Sequence, residues 1–370
     1  MTTPPLPVAS LYQRVTFADL PGWAADDHGA AFAAFRASCP AVVSSVTAKG
    51  RSSSPAEAAL AAVCATALKA TAVLNRTQAR AFFEKHFAPH SVRDTPAEGL
   101  LTAYYEPVVA GARAPSAAFP VPLHKRPPDL VNLVAEADRG AKANALTHGR
   151  QTSSGVVSYA TRQQIDEGAL AGRHLELFYV ADEVERFFLQ IQGSGIIQFA
   201  NGTRVRVGYD GKNGLPYTSV GRYLINTGVM GADQMTLQAL AEWLRADPDR
   251  GRRAMWQNKS YVFFREMPGA AAAEGVMGIA LTPLRSLAVD PAYHPLGTPI
   301  FVDAPEITHI TGKPFHQLMV GHDVGSAIHG KQRGDIFVGS GPDAGLAAGT
   351  TKHRGRFFVL LPVTAPVGQP

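Results

Sequence analysis

From Tyr261 to the C-terminus the chain breaks into short apolar runs separated by glycines and turn residues: Tyr261–Phe264, Val276–Leu281, Ile300–Val302, Gln317–Val320, Ile336–Val338 and Arg356–Leu361. Runs this short suit strands and are too brief for stable helices. Six of them in succession predict a closed β-barrel, the arrangement that leaves no strand edge exposed. The stretch Val320–Phe358 is the densest in glycine and carries two aspartates in apolar surroundings. Asp323 follows Leu318–Met319–Val320, and Asp335 opens Ile336–Phe337–Val338. A carboxyl held rigidly at a strand edge and partly desolvated has a raised pKa, which a general acid at neutral pH requires. The same spacing also suits two ordinary turn aspartates, and spacing alone does not decide between them.

The 370 residues exceed one ordinary core, so two domains are expected, with borders in the 110s and the 250s. Residues 1–90 read as helical. Helices are expected over Asp26–Cys39, from Ser54 as N-cap with Pro55 at the first position, and over Thr77–Phe87. After Gly99 the texture turns to strands: Gly99–Val109, Leu175–Ala181, Arg186–Gln192 and Gly202–Tyr209, with helices at Thr161–Ala169, Thr218–Leu224 and Met235–Asp247. Cys39 and Cys64 both fall in helical stretches and fit either a disulfide or two buried thiols. The excess of Lys+Arg over Asp+Glu is 35 − 30 = +5, which suits a polyanion, whether nucleic acid, acidic lipid or wall polymer. No run reaches the roughly 18 apolar residues of a membrane span. The first seven residues lack a basic and an apolar region. The expectation is a cytosolic protein or one whose export segment lies outside this sequence.

Several chemistries compete for the C-terminal stretch. Asp323-Val-Gly and Asp343-Ala-Gly echo the paired turns of an aspartic protease, but Val324 and Ala344 stand where orienting hydroxyls are needed. His316, His322, His329 and His353 with the aspartates could ligate a metal, yet their spacing forms no helical His pair. The loop Gly339–Gly345 departs from the dinucleotide fingerprint and carries Pro342 where an N–H is wanted. Glycoside cleavage needs a carboxylic acid and a bed of aromatics and amides for sugar rings. Tyr104, Tyr105, Glu106, Gln190, Gln192, Ser194, Gln198, Tyr209 and Lys212 offer these, with Gln190 and Gln192 on one face if the segment is a strand.

Five ordered motifs carry a resemblance: Gly99-Leu-Leu-Thr-Ala-Tyr-Tyr-Glu-Pro, Leu189-Gln-Ile-Gln-Gly-Ser-Gly, Val207-Gly-Tyr-Asp-Gly-Lys-Asn, Trp256-Gln-Asn-Lys-Ser-Tyr-Val-Phe-Phe, and Val320–Phe358. Together they resemble the membrane-bound lytic murein transglycosylase A family, whose last part is a three-aspartate domain. The aspartates would be Asp290, Asp323 and Asp335. The resemblance implies a mainly β fold with N-terminal helices: a double-psi β-barrel with a smaller β-domain inserted and a groove between them. Residues 1–110 and 255–370 would form the first part and 111–254 the insert. The barrel is similar to that of expansins and of endoglucanases with a His-Phe-Asp signature, where this chain has Arg333-Gly334-Asp335.

The resemblance further implies an enzyme that cuts the β-1,4 bond between N-acetylmuramic acid and N-acetylglucosamine without water. Asp335 would be acid and then base, with Asp323 beside it. Thr102, Tyr104, Glu106, Gln190, Gln192, Ser194, Tyr209, Lys212 and Asp290 would bind substrate. It implies no cofactor, no metal and no nucleic acid. The partners would be glycan strands and the wall-synthesis machinery, and the chain a monomer in the periplasm, associated with the outer membrane. A non-catalytic, expansin-like wall-binding module is the alternative.

Overall fold

The computed structural model describes residues 11–50, 53–70, 74–93, 98–134, 146–267, 269 and 272–363. The first seven residues, on which the reading of the N-terminus rests, lie outside them. Along the chain come strand β1 (Tyr12–Arg14), helices α1 (His28–Lys49), α2 (Pro55–Leu68) and α3 (Arg76–His86), then β2 (Phe87–Val92), β3 (Gly99–Glu106), β4 (Val108–Ala112), β5 (Val121–His124), β6 (Leu130–Asn132), β7 (His148–Thr152), β8 (Gly155–Val157) and β9 (Glu176–Val180). Then follow α4 (Glu183–Gln192), β10 (Ser194–Gln198), β11 (Arg204–Lys212), α5 (Val220–Asn226), α6 (Leu237–Ala246), α7 (Pro248–Met255) and β12 (Val262–Glu266). The chain ends with β13 (Ser286–Ala288), β14 (Pro299–Ala304), β15 (Phe315–Asp323), β16 (Arg333–Ser340), α8 (Pro342–Thr350) and β17 (Lys352–Pro362). The fold is mainly β with N-terminal helices.

Two compact units divide the chain: residues 1–103, 274–339 and 351–370 form the first, and 104–273 with 340–350 the second. In the first unit the strands order as β1-β2-β17-β14-β15-β13-β16-β3. Because β17 also pairs with β3, the order β17-β14-β15-β13-β16-β3 returns to its starting strand. Alternation of side chains sorts the residues of these strands. Leu101, Leu287, Ile300, Val302, Met319, Ile336, Phe357 and Val359 fill one core. The intervening Phe301, Leu318, Val320, Phe358 and Leu360 pack instead with Phe32, Phe35 and Phe83 of the helices.

The helix starts follow their caps. The Ser54 hydroxyl accepts from Glu57 N at 3.2 Å while the Glu57 carboxylate accepts from Ser54 N at 2.8 Å, with Pro55 at the first position as expected. Cys39 and Cys64 form a disulfide between α1 and α2, which settles the choice left open by the sequence. By length and composition α1 does meet the requirement for a membrane span, contrary to the expectation, because its alanines and valines count as apolar. In this structure its Ala31, Phe32, Phe35, Cys39 and Val42 are buried in the core of the unit.

In the second unit the main sheet orders as β12-β11-β10-β4-β9-β5, and an isolated bridge between Lys125 and Phe264 brings its outer strands together. A small sheet β6-β7-β8 stands beside it in the order of strands. Three expectations fail here and in the first unit. Arg186–Gln192 is not a strand but the body of α4: Asp182 caps it by accepting from Glu185 N at 2.7 Å, and Gly193 ends it at φ 78°. Tyr261–Phe264 does not join the strands of the first unit, since β12 pairs with β11. Val276–Leu281 forms a turn with a single bridge between Glu274 and Ala280, and no strand.

Candidate active site

The first unit places Asp335, Asp323 and Thr102 on three neighbouring parts of one sheet. Gly334 and Ile336 belong to the inner side of β16: a Cβ on Gly334 would lie 2.7 Å from Phe357 and 3.1 Å from Leu101 and Leu287, and Ile336 is in the core itself. Strand alternation therefore turns Arg333 and Asp335 to the other face. The same rule applied to Leu101 and Leu287, both in that core, turns Thr102 and Ala288 the same way. Ala288 is in register with Asp335 on one side and with Asp323 on the other. The site thus lies on the face away from the core, and its central position holds the smallest side chain that keeps a strand regular.

Asp335 is half-buried. Burial pushes its pKa up from the usual carboxylate range, and the nearby Arg333 guanidinium and the Thr102 hydroxyl pull it back in part. Thr102 Oγ1 donates a short hydrogen bond to Asp335 Oδ1. The same oxygen accepts from Arg333 Nη2 at 2.8 Å. Arg333 is held in turn by the carbonyls of Gly334 (2.5 Å) and Leu100 (3.4 Å). The like-charge contribution expected from Asp323 is not among the causes of the Asp335 shift. Asp323 Oδ1 accepts from the backbone N–H groups of Val276 and Val324, both at 3.0 Å. Asp290 is buried and holds turns together, accepting from Ala292 N at 3.0 Å and Gly330 N at 2.8 Å.

The second unit holds most of the other expected binding residues, in three different settings. Glu106 is fully buried, its oxygens engaged by Arg206 Nε (2.5 Å), Arg206 Nη2 (2.8 Å) and the Ser340 hydroxyl (2.7 Å). Gln190, buried on α4, accepts from Arg162 Nη1 at 2.6 Å and donates to the Val262 carbonyl at 2.9 Å. Gln192 is half-buried at the end of α4 and accepts from Tyr105 N at 3.2 Å. Residues two apart on a helix diverge by about 200°, so the two amides do not share a face as a strand would have made them do. Ser194, Tyr209 and Lys212 are half-buried on β10 and β11, and Tyr104 is half-buried on β3.

Two residues of these networks were not singled out from the sequence. Arg206 and Arg162 carry no local signal; their pairing with Glu106 and Gln190 spans 100 and 28 residues. The histidines weighed as metal ligands are dispersed. His316 pairs with Asp303 at 2.9 Å and His322 meets the Ser286 hydroxyl at 2.8 Å. Among the described residues no three His, Cys, Asp or Glu side chains are grouped to hold a metal ion.

Comparison with known proteins agrees over both units. A family model for the MltA specific insert domain matches residues 100–265, and one for the 3D domain matches 285–361. The membrane-bound lytic murein transglycosylase A of Vibrio cholerae is 32% identical over 277 residues, which is 73% of this chain and 67% of that relative. The crystal structure of a membrane-bound lytic murein transglycosylase from Agrobacterium tumefaciens is similar with a TM-score of 0.83 at 34% identity, over 95% of this chain and 98% of that one. Escherichia coli MltA with bound chitohexaose is similar with a TM-score of 0.63 at 26% identity, over 88% and 84%.

Proposed function

The chain belongs to the membrane-bound lytic murein transglycosylase A family and is a peptidoglycan lytic transglycosylase; from that premise we propose that Asp335 alone carries both proton transfers of the reaction. It would protonate the glycosidic oxygen as the bond from muramyl C1 breaks. The resulting carboxylate would then take the proton of the muramyl C6 hydroxyl as that oxygen closes on C1 to give a 1,6-anhydro ring. No water enters, and a nucleophile already within the substrate has a high effective concentration. The observation that carries this reading is the half-buried Asp335 carboxyl, whose pKa burial raises while Thr102 fixes one of its oxygens. Asp323 would orient the sugar from two places along the row, beyond Ala288.

The closed strand order of the first unit supports a double-psi barrel. The insert-domain match at 100–265 supports reading 111–254 as an insertion between 1–110 and 255–370. Thr102, Tyr104, Gln192, Ser194, Tyr209 and Lys212 are proposed to contact glycan; Glu106 would act by holding Arg206 and Ser340, Gln190 by holding Arg162 and the Val262 carbonyl, and Asp290 by holding backbone turns. A relative solved with chitohexaose supports a β-linked glycan as ligand. Of the proposed periplasmic, outer-membrane-associated location, membrane association is supported by the names of the relatives, and an oxidising compartment by the Cys39–Cys64 disulfide. Mass spectrometry of fragments released from purified sacculi tests the reaction: muramyl ends lighter by one water support it. Normal reducing ends would make the protein a hydrolase, and no release at all would make it a wall-binding module.

A further inference from the structure

We infer that Arg333 is a positioning residue which, by donating to one lone pair of the Thr102 hydroxyl, aims the hydroxyl hydrogen at Asp335 Oδ1 and so confines both proton transfers of the reaction to Oδ2. The inference rests on the transglycosylase reading for its mechanism, but its geometry is independent of it. A threonine hydroxyl has one hydrogen and two acceptor sites, whereas a guanidinium can only donate. With Arg333 Nη2 at 2.8 Å from Thr102 Oγ1, that oxygen must be the acceptor. A second acceptor site stays open, but among the described residues the single hydrogen has only Asp335 Oδ1 as acceptor, so an Oδ1–H pointing at Thr102 would leave that hydrogen unpaired. An oxygen that accepts such a bond is a poor place for the acid proton. Among the described residues no donor is placed on Oδ2, so the proton resides there.

The chemistry then runs through one atom. The Oδ2–H proton goes to the glycosidic oxygen as its bond to C1 breaks. Oδ2 later receives the proton of the C6 hydroxyl as the new C1–O6 bond forms, and the acid is restored. Arg333 never touches the sugar in this scheme; it acts by fixing a hydrogen on Thr102.

The surroundings decide the sign of the effect. Facing Asp335, β13 offers Ser286, Leu287 and Ala288, and the part of β3 in this unit offers Gly99–Ala103; neither carries a charge. The charges in its row are Arg333 on its own strand, Asp323 beyond Ala288, and Lys352 of β17 in register with Thr102. Both Arg333 and the Thr102 hydrogen bond favour the ionised carboxylate, against burial. Removing either therefore raises the pKa of Asp335 and carries the acid form to higher pH.

Full-length Arg333→Met, Thr102→Val and Thr102→Ser are compared with wild type in two measurements. The first is the pH profile of kcat/KM on solubilised glycan strands. The second is carboxyl ¹³C NMR titration of Asp335 in the free protein, assigned with Asp335→Asn. Arg333→Met is expected to move the basic limb and the NMR titration up by ~1 pH unit or more. Thr102→Val should do the same and lower kcat about tenfold, while Thr102→Ser, which keeps the hydroxyl, should titrate closer to wild type than Thr102→Val does. Titrations that coincide with wild type in Arg333→Met, or Thr102→Ser behaving as Thr102→Val, overturn the inference. Should Arg333→Met fail to fold, Arg333→Gln, whose amide can accept as well as donate, is read in its place with the same expected direction. A wild type that releases no anhydromuramyl ends defeats the functional reading, and the NMR titration still tests the arrangement of hydrogens.

Discussion

Asp323 and Asp335 stand in one row across three strands, each in register with Ala288 between them. Two interstrand steps put their backbones roughly 10 Å apart. The strands fix that separation, so the two carboxyls are held at a distance by the sheet itself and not by flexible side chains. One is placed with a hydroxyl and a guanidinium, and the other accepts from backbone N–H groups at its strand end. Two carboxyls on one sheet thus have different surroundings, and it is Asp335 whose pKa burial raises.

Replacing Asp335 by Asn is expected to reduce turnover by ~10⁴-fold or more, the upper end for general acid–base assistance, because one group serves both steps. Glycan binding should persist. A folded-state carboxyl pKa raised by burial favours folding below the unfolded pKa and loses that advantage as pH rises through the folded value. Asp335→Asn should therefore match wild type in Tm at acid pH and exceed it near neutrality. A variant less stable than wild type at every pH would contradict the burial argument.

Gln190 and Gln192 should separate cleanly on alanine substitution. Gln190→Ala takes the acceptor from Nη1 of the buried Arg162, whose Nε and Nη2 keep the carbonyls of Asn258 and Ser260, and is expected to cost about 2 kcal/mol, read by denaturant unfolding. Gln192→Ala removes a half-buried amide bonded only weakly to Tyr105 N, so glycan affinity should fall while Cm stays nearly constant. Equal stability losses in the two variants would remove Gln192 from the binding set.

Glu106→Ala should behave as a stability lesion. It strips the nearly buried Arg206 of its carboxylate and the Ser340 hydroxyl of its acceptor. Breaking a buried pair from one side is worth roughly 3–5 kcal/mol. The companion variant Glu106→Ala with Arg206→Met should recover much of that loss. If glycan affinity drops in Glu106→Ala while the midpoint is unchanged, the carboxylate contacts substrate instead.

Reduction of the Cys39–Cys64 bridge opens a loop with a sequence separation of 25. The double variant Cys39→Ser with Cys64→Ser is expected to lose about 3 kcal/mol. Wild type in dithiothreitol should fall to the same midpoint. A wild-type midpoint insensitive to reductant would mean that the packing of α1 on α2 does not depend on the bridge.

Acid should weaken both units through buried histidines, among them His322 and His294 in the first and His124 in the second. Burial pushes His322 in the first and His124 in the second down to about 4. The unfolded chain binds those protons from about pH 6.5 downward and the folded protein does not, so stability falls as pH drops from 6.5 toward 4 and levels off below. The loss is on the order of 3 kcal/mol per histidine. His322→Asn should flatten this limb in a plot of Tm against pH; an unchanged limb would assign the acid sensitivity elsewhere.

Local chemistry was legible where it is short-ranged. Ser54 with Pro55 and Glu57 marks a helix start, because the bonds that make the cap join residues three apart. The short strands of the C-terminal part and the placing of Asp335 beside Ile336 follow from alternation along a few residues. The ordered motifs pointed to the family and, through it, to Asp335. The helix at Glu183–Gln192 was misread because Phe-Leu-Gln-Ile-Gln alternates like a strand, while the deciding cap at Asp182 and turn at Gly193 lie just outside that run. What the sequence could not hold is everything made by distant partners. The hydroxyl beside Asp335 comes from a residue 233 positions earlier, and the partner of Glu106 from one 100 positions later. Whether a glutamine is a ligand or a beam of the core depends on which way a helix is turned, and that is settled only when the helix is packed. Residue order sets the local dihedral preferences; the closing of the strands upon one another sets which of those residues meet.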